Sequence, residues 1–450
     1  MFGMFRRRQK ERQQDDNIPE ITDDQSRNPF TELTLLTSHE DIVHLLMVID
    51  KTRIVSASDD CTAIIWDCKT GKQLHTLKGH TRPITCMMVH NPPEEFTVLD
   101  DDLSSMLLLT GSSDKLICVW DVDDGQCLHT LTEHSMSIKC LVSLQEMNCF
   151  LSGGQSLCLW GANGALLSKL ERSSEHSDIH TMLPIKNNRV VAASNKTLVV
   201  YSVKYSEDSS EGPSTLQIAF FRKLSSHREA IRCLVHVADS MFASASLDGA
   251  IVLWSSHSLS STRQLNLMKN YEGNSHMYPY SVQHLFSVDQ RYIFASIGHG
   301  FILYDAVSGA SLAEVKNAHY GKIVHLLLLY DGYMLATCSE DGSIRLWGAP
   351  SRPVLFDGDT SILQLGTPVE KFLGRRLKDL ESISKPVEPC LLGECLAHSG
   401  KVNMAVDCGC EGFASCANDD LVVLWKDGSL QRKRRNEIIQ QMLFYENRDF

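Results

Sequence analysis

The chain has 450 residues, 43% of them hydrophobic, with 43 Lys plus Arg against 55 Asp plus Glu and a formal charge of −12. That apolar share excludes a chain disordered overall, and the acidic balance argues against a protein whose main work is gripping nucleic acid. No apolar run approaches the roughly 18 residues that span a bilayer, so no membrane span is expected.

The start, Met1-Phe2-Gly3-Met4-Phe5-Arg6-Arg7-Arg8, has charge but no apolar stretch after it. It does not read as a secretory signal, and Phe at position 2 argues against myristoylation. Residues 1–27 are expected to form a flexible segment of a cytoplasmic protein.

From residue 28 onward one unit recurs. All six tryptophans end short apolar runs: Ala63-Ile64-Ile65-Trp66, Ile117-Cys118-Val119-Trp120, Leu157-Cys158-Leu159-Trp160, Ile251-Val252-Leu253-Trp254, Ile344-Arg345-Leu346-Trp347 and Val422-Val423-Leu424-Trp425. Two further runs end in Tyr201 and Tyr304. The period is about 40 residues with insertions, and such aliphatic runs suit strands buried on both faces. Six residues before the aromatic stands Asp60, Asp114, Asp248, Asp341 or Asp419; eight before it stands Ser58, Ser112, Ser246 or Ser339, with Ala417 in the last repeat. A histidine precedes each unit: His39, His80, His134, His176, His227, His276, His319 and His398.

This pattern resembles the WD-repeat family of β-propellers, an all-β fold in which each repeat builds a four-stranded blade. Eight repeats imply eight blades over residues 28–428. Seven blades plus one degenerate repeat is the alternative, because the fourth and sixth repeats have Asn195 and Gly298 in place of the turn Asp. Thr31–Leu36 then reads as the outer strand of the last blade, a clasp that closes the ring and removes free sheet edges. The resemblance implies hydrogen-bonded tetrads of His39, Ser58, Asp60 and Trp66; His80, Ser112, Asp114 and Trp120; His227, Ser246, Asp248 and Trp254; and His319, Ser339, Asp341 and Trp347. A catalytic triad is needed once, so a constellation repeated four times is structural.

Other signatures of chemistry fail. His39 and His44 lie five apart, one too many for a zinc-protease helix. Phosphate-loop, dinucleotide and nucleophile-elbow motifs are missing from the sequence, and neither an enzyme nor a cofactor is expected. Fifteen cysteines include Cys118 and Cys158 within apolar strands, the behaviour of reduced, buried thiols. Cys408-Gly409-Cys410 with Cys416 and His398 lacks the paired spacing of a zinc site.

Insertions carry the individuality of a repeat scaffold. The acidic stretch 91–105, the Ser/Glu-rich 204–214 and the polar 257–279 are expected to be loops. The longest, within 349–389, contains Val369-Glu370-Lys371-Phe372-Leu373-Gly374-Arg375-Arg376-Leu377-Lys378-Asp379-Leu380. Its apolar spacing predicts one face of a helix, with Phe372, Leu373, Arg375 and Arg376 as candidates for contact with a partner; packing against its own propeller is the other reading. The tail 429–450 predicts a basic amphipathic helix, with Arg432, Arg434, Arg435, Ile438, Ile439, Met442 and Leu443 as candidate partner contacts.

Within the family, several stretches resemble one branch of adaptor propellers: Asn28–Leu33 with His39–Val43, Leu151–Gly154 with Leu157–Trp160, Cys338–Trp347, and Leu421–Gly428. That resemblance implies a non-catalytic scaffold in a complex of two DENN-domain proteins, the Smith–Magenis syndrome chromosome region candidate 8 protein and the chromosome 9 open reading frame 72 protein. It further implies roles in autophagy, small-GTPase regulation and lysosomal nutrient signalling. Recruitment to the lysosome surface would run through a transporter of cationic amino acids. The alternative is a substrate receptor of a cullin-type ubiquitin ligase, although no repeat ends in Trp-Asp-x-Arg: the ends read Trp66-Asp67-Cys68-Lys69, Trp120-Asp121-Val122-Asp123 and Trp254-Ser255-Ser256-His257.

Overall fold

The computed structural model describes residues 18–20, 25, 27–90, 106–171, 178–205, 216–225, 227–265, 280–349, 366–377 and 385–446, with backbone alone at 410 and 441–446. They form eight four-stranded antiparallel sheets arranged as the blades of a propeller. The seven-blade alternative is therefore set aside. Each aromatic-ended run is the third strand of its blade, as in Thr62–Asp67, Ile117–Asp121 and Ile344–Gly348. Neighbouring blades cover both faces of these strands, so Ile64, Ile65 and Trp66 are all buried. Outer strands have one neighbour fewer, and Cys127–Thr130 lies exposed.

The expected clasp closes the ring. Phe30–Leu36 pairs antiparallel with Val422–Asp427, placing Leu33 opposite Trp425. Phe30 stacks on Tyr330 of blade seven at 5.5 Å and meets Phe413 edge-on at 4.8 Å, so the clasp spans the seam between the last two blades.

Of the N-terminal segment 1–27, Pro19 and Gln25 make contacts to the propeller, continued by Asn28. The Pro19 carbonyl accepts from Arg345, the Gln25 amide oxygen accepts from the Glu394 N–H, and Asn28 donates to the Glu394 carbonyl. The long insertion is an inter-strand loop inside blade seven, between Ile344–Gly348 and the outer strand Cys390–Cys395. Residues 350–365 and 378–384 are outside the described part, as are 91–105, 206–215 and 266–279 of the other insertions, and His176 and His276.

What is described of the long insertion is a short helix, α1 (Pro368–Leu373), rather than one running to residue 380. Thr367 caps it through the Glu370 N–H, Glu370 reaches back to the Thr367 N–H, and Gly374 ends it at φ 63°, a left-handed position that suits glycine. Val369, Phe372 and Leu373 enter a core cluster with Phe294, Phe301, Leu335 and Trp347.

Candidate functional site

The polar chains inside the blades are the first candidate, and their geometry is structural. In blade one Trp66 Nε1–H donates to Ser56 Oγ at 2.8 Å, Ser56 meets His39 Nε2 at 2.7 Å, and His39 Nδ1 meets Asp60 at 2.7 Å. Every buried donor is thus satisfied in sequence. The chain repeats through Thr110 in blade two, Thr337 in blade seven and Ser415 in blade eight.

The hydroxyl in each chain therefore stands at the position ten residues before the tryptophan, and the serines expected in that role are elsewhere. Ser58, Ser112 and Ser246 donate to the carbonyls of Asp41, Arg82 and Glu229, and with Ser339 they accept the N–H of the turn Asp. They pin the turn, not the tetrad. Blade eight completes a tetrad from His398, Ser415, Asp419 and Trp425 that the Ala417 position had obscured.

Two blades vary the scheme. In blade three the turn is two residues shorter, Trp160 donates to Ser152 eight residues back, and Ser156 takes the place of Asp against His134 Nδ1 at 3.1 Å. Burial then holds His134 down at about 4. In blade five His227 and Trp254 share Ser244, but Asp248 accepts from the Arg228 and Ala250 N–H groups and His227 Nδ1 has no partner. Around the complete tetrads, burial opposes ionisation of Asp60, yet hydrogen bonds from Thr62 and His39 hold it below the usual carboxylate range. Burial lowers the His39 and His319 imidazoles below their usual range despite those carboxylates. In the four complete tetrads both histidine ring nitrogens are engaged, so the histidine is a strut between the tryptophan-bound hydroxyl and the turn carboxylate.

Among the described residues there is no group of three His, Cys, Asp or Glu able to hold a metal. Cys408 and Cys416 are buried in the core between blades one and eight. Burial raises the thiols of Cys149 and Cys158 to about 11. No described helix is long and apolar enough to cross a membrane.

The second candidate is the pair of basic helical segments, and the structure separates them. Phe372 is 0% and Leu373 4% exposed, so neither is a surface for a partner. Arg375 and Arg376 remain exposed beside them. Helix α2 (Gly428–Glu446) instead leaves the ring. Its first turn is fixed by Asp427, whose carboxylate accepts from the N–H groups of Ser429 and Leu430 and from the Tyr330 hydroxyl. The Gly428 N–H donates to the Pro29 carbonyl. Arg434 pairs with Glu411 at 2.7 Å, and Arg435 grips both oxygens of Glu32 at 2.6 and 2.9 Å.

These two arginines anchor the helix to its own propeller, a role that the sequence pattern had assigned to a partner. Arg432 stays exposed, and Ile438 and Ile439 are 51% and 53% exposed. The side chains of Met442 and Leu443 lie outside the described residues.

The family model for WDR41 β-propellers matches residues 2–435. WD repeat-containing protein 41 of Mus musculus is 30% identical over 438 residues, covering 94% of this chain and 93% of that protein. The Homo sapiens protein of that name is 29% identical over the same span and coverage. Among solved structures, the computationally designed Ika8 protein superposes with a TM-score of 0.60 at 19% identity, covering 87% of this chain and 98% of that one. The WD40 repeats of RRP9 give 0.51 at 19% identity, covering 68% and 90%. At those identities the structural likeness speaks for the fold alone.

Proposed function

Because the chain belongs to the WDR41 family of β-propellers, we propose that it is the adaptor subunit of a DENN-domain complex. Membership and the WD-type propeller support a scaffold role. The finer reading is that it joins the Smith–Magenis syndrome chromosome region candidate 8 protein and the chromosome 9 open reading frame 72 protein. It then brings that pair to the lysosome surface, where small GTPases, autophagy and nutrient responses are regulated. A lysosomal transporter of cationic amino acids is its membrane-resident anchor in this reading.

The observation that carries the docking part is the exposure of Ile438 and Ile439 on a helix held rigid at its root. Two adjacent branched side chains half out in water, on a pre-ordered element, cost little ordering entropy when a groove covers them. The test is co-purification from a lysosome-containing lysate with the intact chain, a truncation ending at Gly428, and an Ile438→Asp/Ile439→Asp variant. Recovery of the DENN-domain pair by the intact chain alone supports the reading. Equal recovery by all three moves the dock elsewhere on the propeller, and recovery by none removes the partner assignment.

A further inference from the structure

The outer strand of each blade is the last of its sheet, so its far edge can take one strand more. Blade six shows this within the chain itself. Val387 of the long insertion bridges Ala313 in parallel, donating its N–H to the Leu312 carbonyl at 2.8 Å and accepting from the Glu314 N–H at 3.0 Å. Blade four presents the equivalent edge with a different dressing. Opposite the aromatic that ends each third strand its outer strand has Phe220, where the other blades have Gln, Cys, Leu or Ser. The bulge residue that follows is Phe221, where the other bulged blades have Leu or Thr. Phe220 is 62% and Phe221 42% exposed. The hairpin is long as well: Thr197–Tyr205 and Leu216–Ser225 have 9 and 10 residues, against five to seven for the outer strands elsewhere.

By the shared register, Lys223 stands where Glu314 does in blade six, and Phe221 where Leu312 does. The Lys223 N–H and the Phe221 carbonyl therefore point outward, and among the described residues no strand pairs with them. Five successive residues, Ala219 to Lys223, are exposed. The two rings lie on opposite faces of this edge. Phe220 is opposite Tyr201, whose face packs on blade three, whereas Phe221 lies under the Arg189 guanidinium at 4.1 Å and Arg222 reaches the Ser258 carbonyl of blade five. A flat partner would cover one ring. A strand laid along the edge covers both and meets the backbone groups between them.

Charge selects the partner. None of the four strands of blade four carries an Asp or Glu, while Arg189, Lys204, Arg222 and Lys223 all belong to them. Arg189 and Arg222 donate to the carbonyls of His257 and Ser258, which leaves their charges uncancelled. Of the acids nearby, Glu171 pairs with Lys169 at 2.7 Å, Asp239 pairs with Lys186 at 2.9 Å, and Glu229 lies on the loop into blade five. Glu207, Asp208 and Glu211 belong to the connection 206–215, outside the described residues. Arg222 is about 20 Å along the strand from Leu216, where that connection ends.

We propose that the edge Ala219–Lys223 of blade four takes an extended segment of a partner protein, rich in acidic and branched apolar residues, as a fifth strand. Branched side chains cover Phe220 and Phe221, and carboxylates face Arg222 and Lys223 across the new pairing. A second copy of the chain would bring two sets of these cations together, and a lipid surface offers nothing to the outward N–H and carbonyl groups. Blade four is four blades from helix α2 in either direction round the ring, so both surfaces can be occupied at once.

The probe is a fluorescein-labelled octapeptide of alternating valine and glutamate, with a valine–lysine octapeptide as its counterpart, and binding to the full chain is read by anisotropy. The wild-type chain is expected to prefer the glutamate peptide by about tenfold, a preference that shrinks as salt rises. Lys223→Pro removes the outward N–H and should weaken binding by about tenfold or more, whereas Thr130→Pro, the equivalent change in blade two, should leave it unchanged. Arg222→Glu/Lys223→Glu should invert the preference between the two peptides, a result that damage to the fold does not produce. Wild-type failure to bind, or a preference unchanged by the charge reversal, overturns the proposal. So does full binding by Lys223→Pro, or equal weakening by Thr130→Pro. Sedimentation as a dimer that the charge reversal alters, or retention on phosphatidylserine vesicles that needs Phe220 and Phe221, overturns it too when the peptide does not bind, since the edge then belongs to a second copy or to a membrane. The assay contains no DENN-domain protein, so its result is independent of the docking helix.

Discussion

Replacing Phe372 with alanine separates two meanings of the same amphipathic pattern. Phe372 is fully buried, edge-on to Phe294 with ring centroids 5.3 Å apart and planes at 76°, in the cluster that holds Trp347. Truncating a phenylalanine in such a core costs about 3–5 kcal/mol, because the lost transfer energy is joined by the cavity left behind. Set against the roughly 5–15 kcal/mol that holds a typical domain folded, this is a large fraction. Urea unfolding of the isolated chain, followed by tryptophan fluorescence, should show the midpoint falling well below wild type. Gly332→Ala should act on the same contact from below. Gly332 has φ +105°, and a Cβ there would stand 2.4 Å from Pro368 Cα, so helix α1 would be pushed off its seat. The two changes share one contact and should be less than additive. An unchanged midpoint for Phe372→Ala, with partner capture lost, would refute the packing argument and return Phe372 to the docking surface.

Ser56→Ala strips partners from Trp66 Nε1–H and His39 Nε2, a cost of about 2–4 kcal/mol for two buried groups. The Trp66 indole N–H resonance should shift in that variant and stay in place in Ser58→Ala, since Ser58 bonds the Asp41 carbonyl and the Asp60 N–H rather than the indole. Stability should also fall on acidification. His134 in the fold sits at about 4 against an ordinary 6.5, and burial lowers His284 to about 4 as well. The unfolded chain therefore takes up these protons first, so stability is full above about pH 6.5 and erodes towards pH 4, by about 3 kcal/mol for each such group. Denaturant midpoints flat across that window would contradict the burial of these histidines. Arg435→Glu sets two carboxylates facing each other at Glu32, and hydrogen exchange over residues 430–440 should quicken while the blade strands keep their protection.

The blade count and the clasp were legible because each rests on a pattern that only a propeller explains. Six tryptophans ending equivalent runs mark the third strands, and Phe30–Leu36 lacks any other strand to pair with. The tetrad hydroxyl was misplaced for a reason of geometry. Residues eight and ten before the tryptophan lie two apart on one strand and point the same way, and both are small and polar in blade one. Spacing cannot choose between Ser56 and Ser58; the position of the histidine ring can. The short turn of blade three hid Ser156 in the same manner, since counting from Trp160 assumes a constant turn length. The covering of helix α1 was left open because an apolar stripe states only that something covers it. Phe372 and Leu373 are covered by blades six and seven of the chain itself. At helix α2 the basic run was read as partner contacts, yet Glu411 and Glu32 of the propeller claim Arg434 and Arg435.

Those two ion pairs give the seam a consequence for binding. The clasp strand, the last blade and helix α2 meet at one point: Leu33 pairs with Trp425, the Gly428 N–H reaches Pro29, Tyr330 reaches Asp427, and Arg435 reaches Glu32. Helix α2 is thus held by its full set of anchors when the ring is closed, because Glu32 and Pro29 of the clasp add to the Glu411 and Asp427 contacts within the last blade. A partner that grips Ile438 and Ile439 on the seated helix binds the closed ring in preference to an open one. By linkage it then stabilises the closed form by about 2.7 kcal/mol when present at roughly 100 times its Kd. Opening of the seam and loss of the partner become one equilibrium seen from two sides. The clasp, which a repeat fold needs in order to close, therefore also couples the seating of helix α2 to whether the propeller is intact.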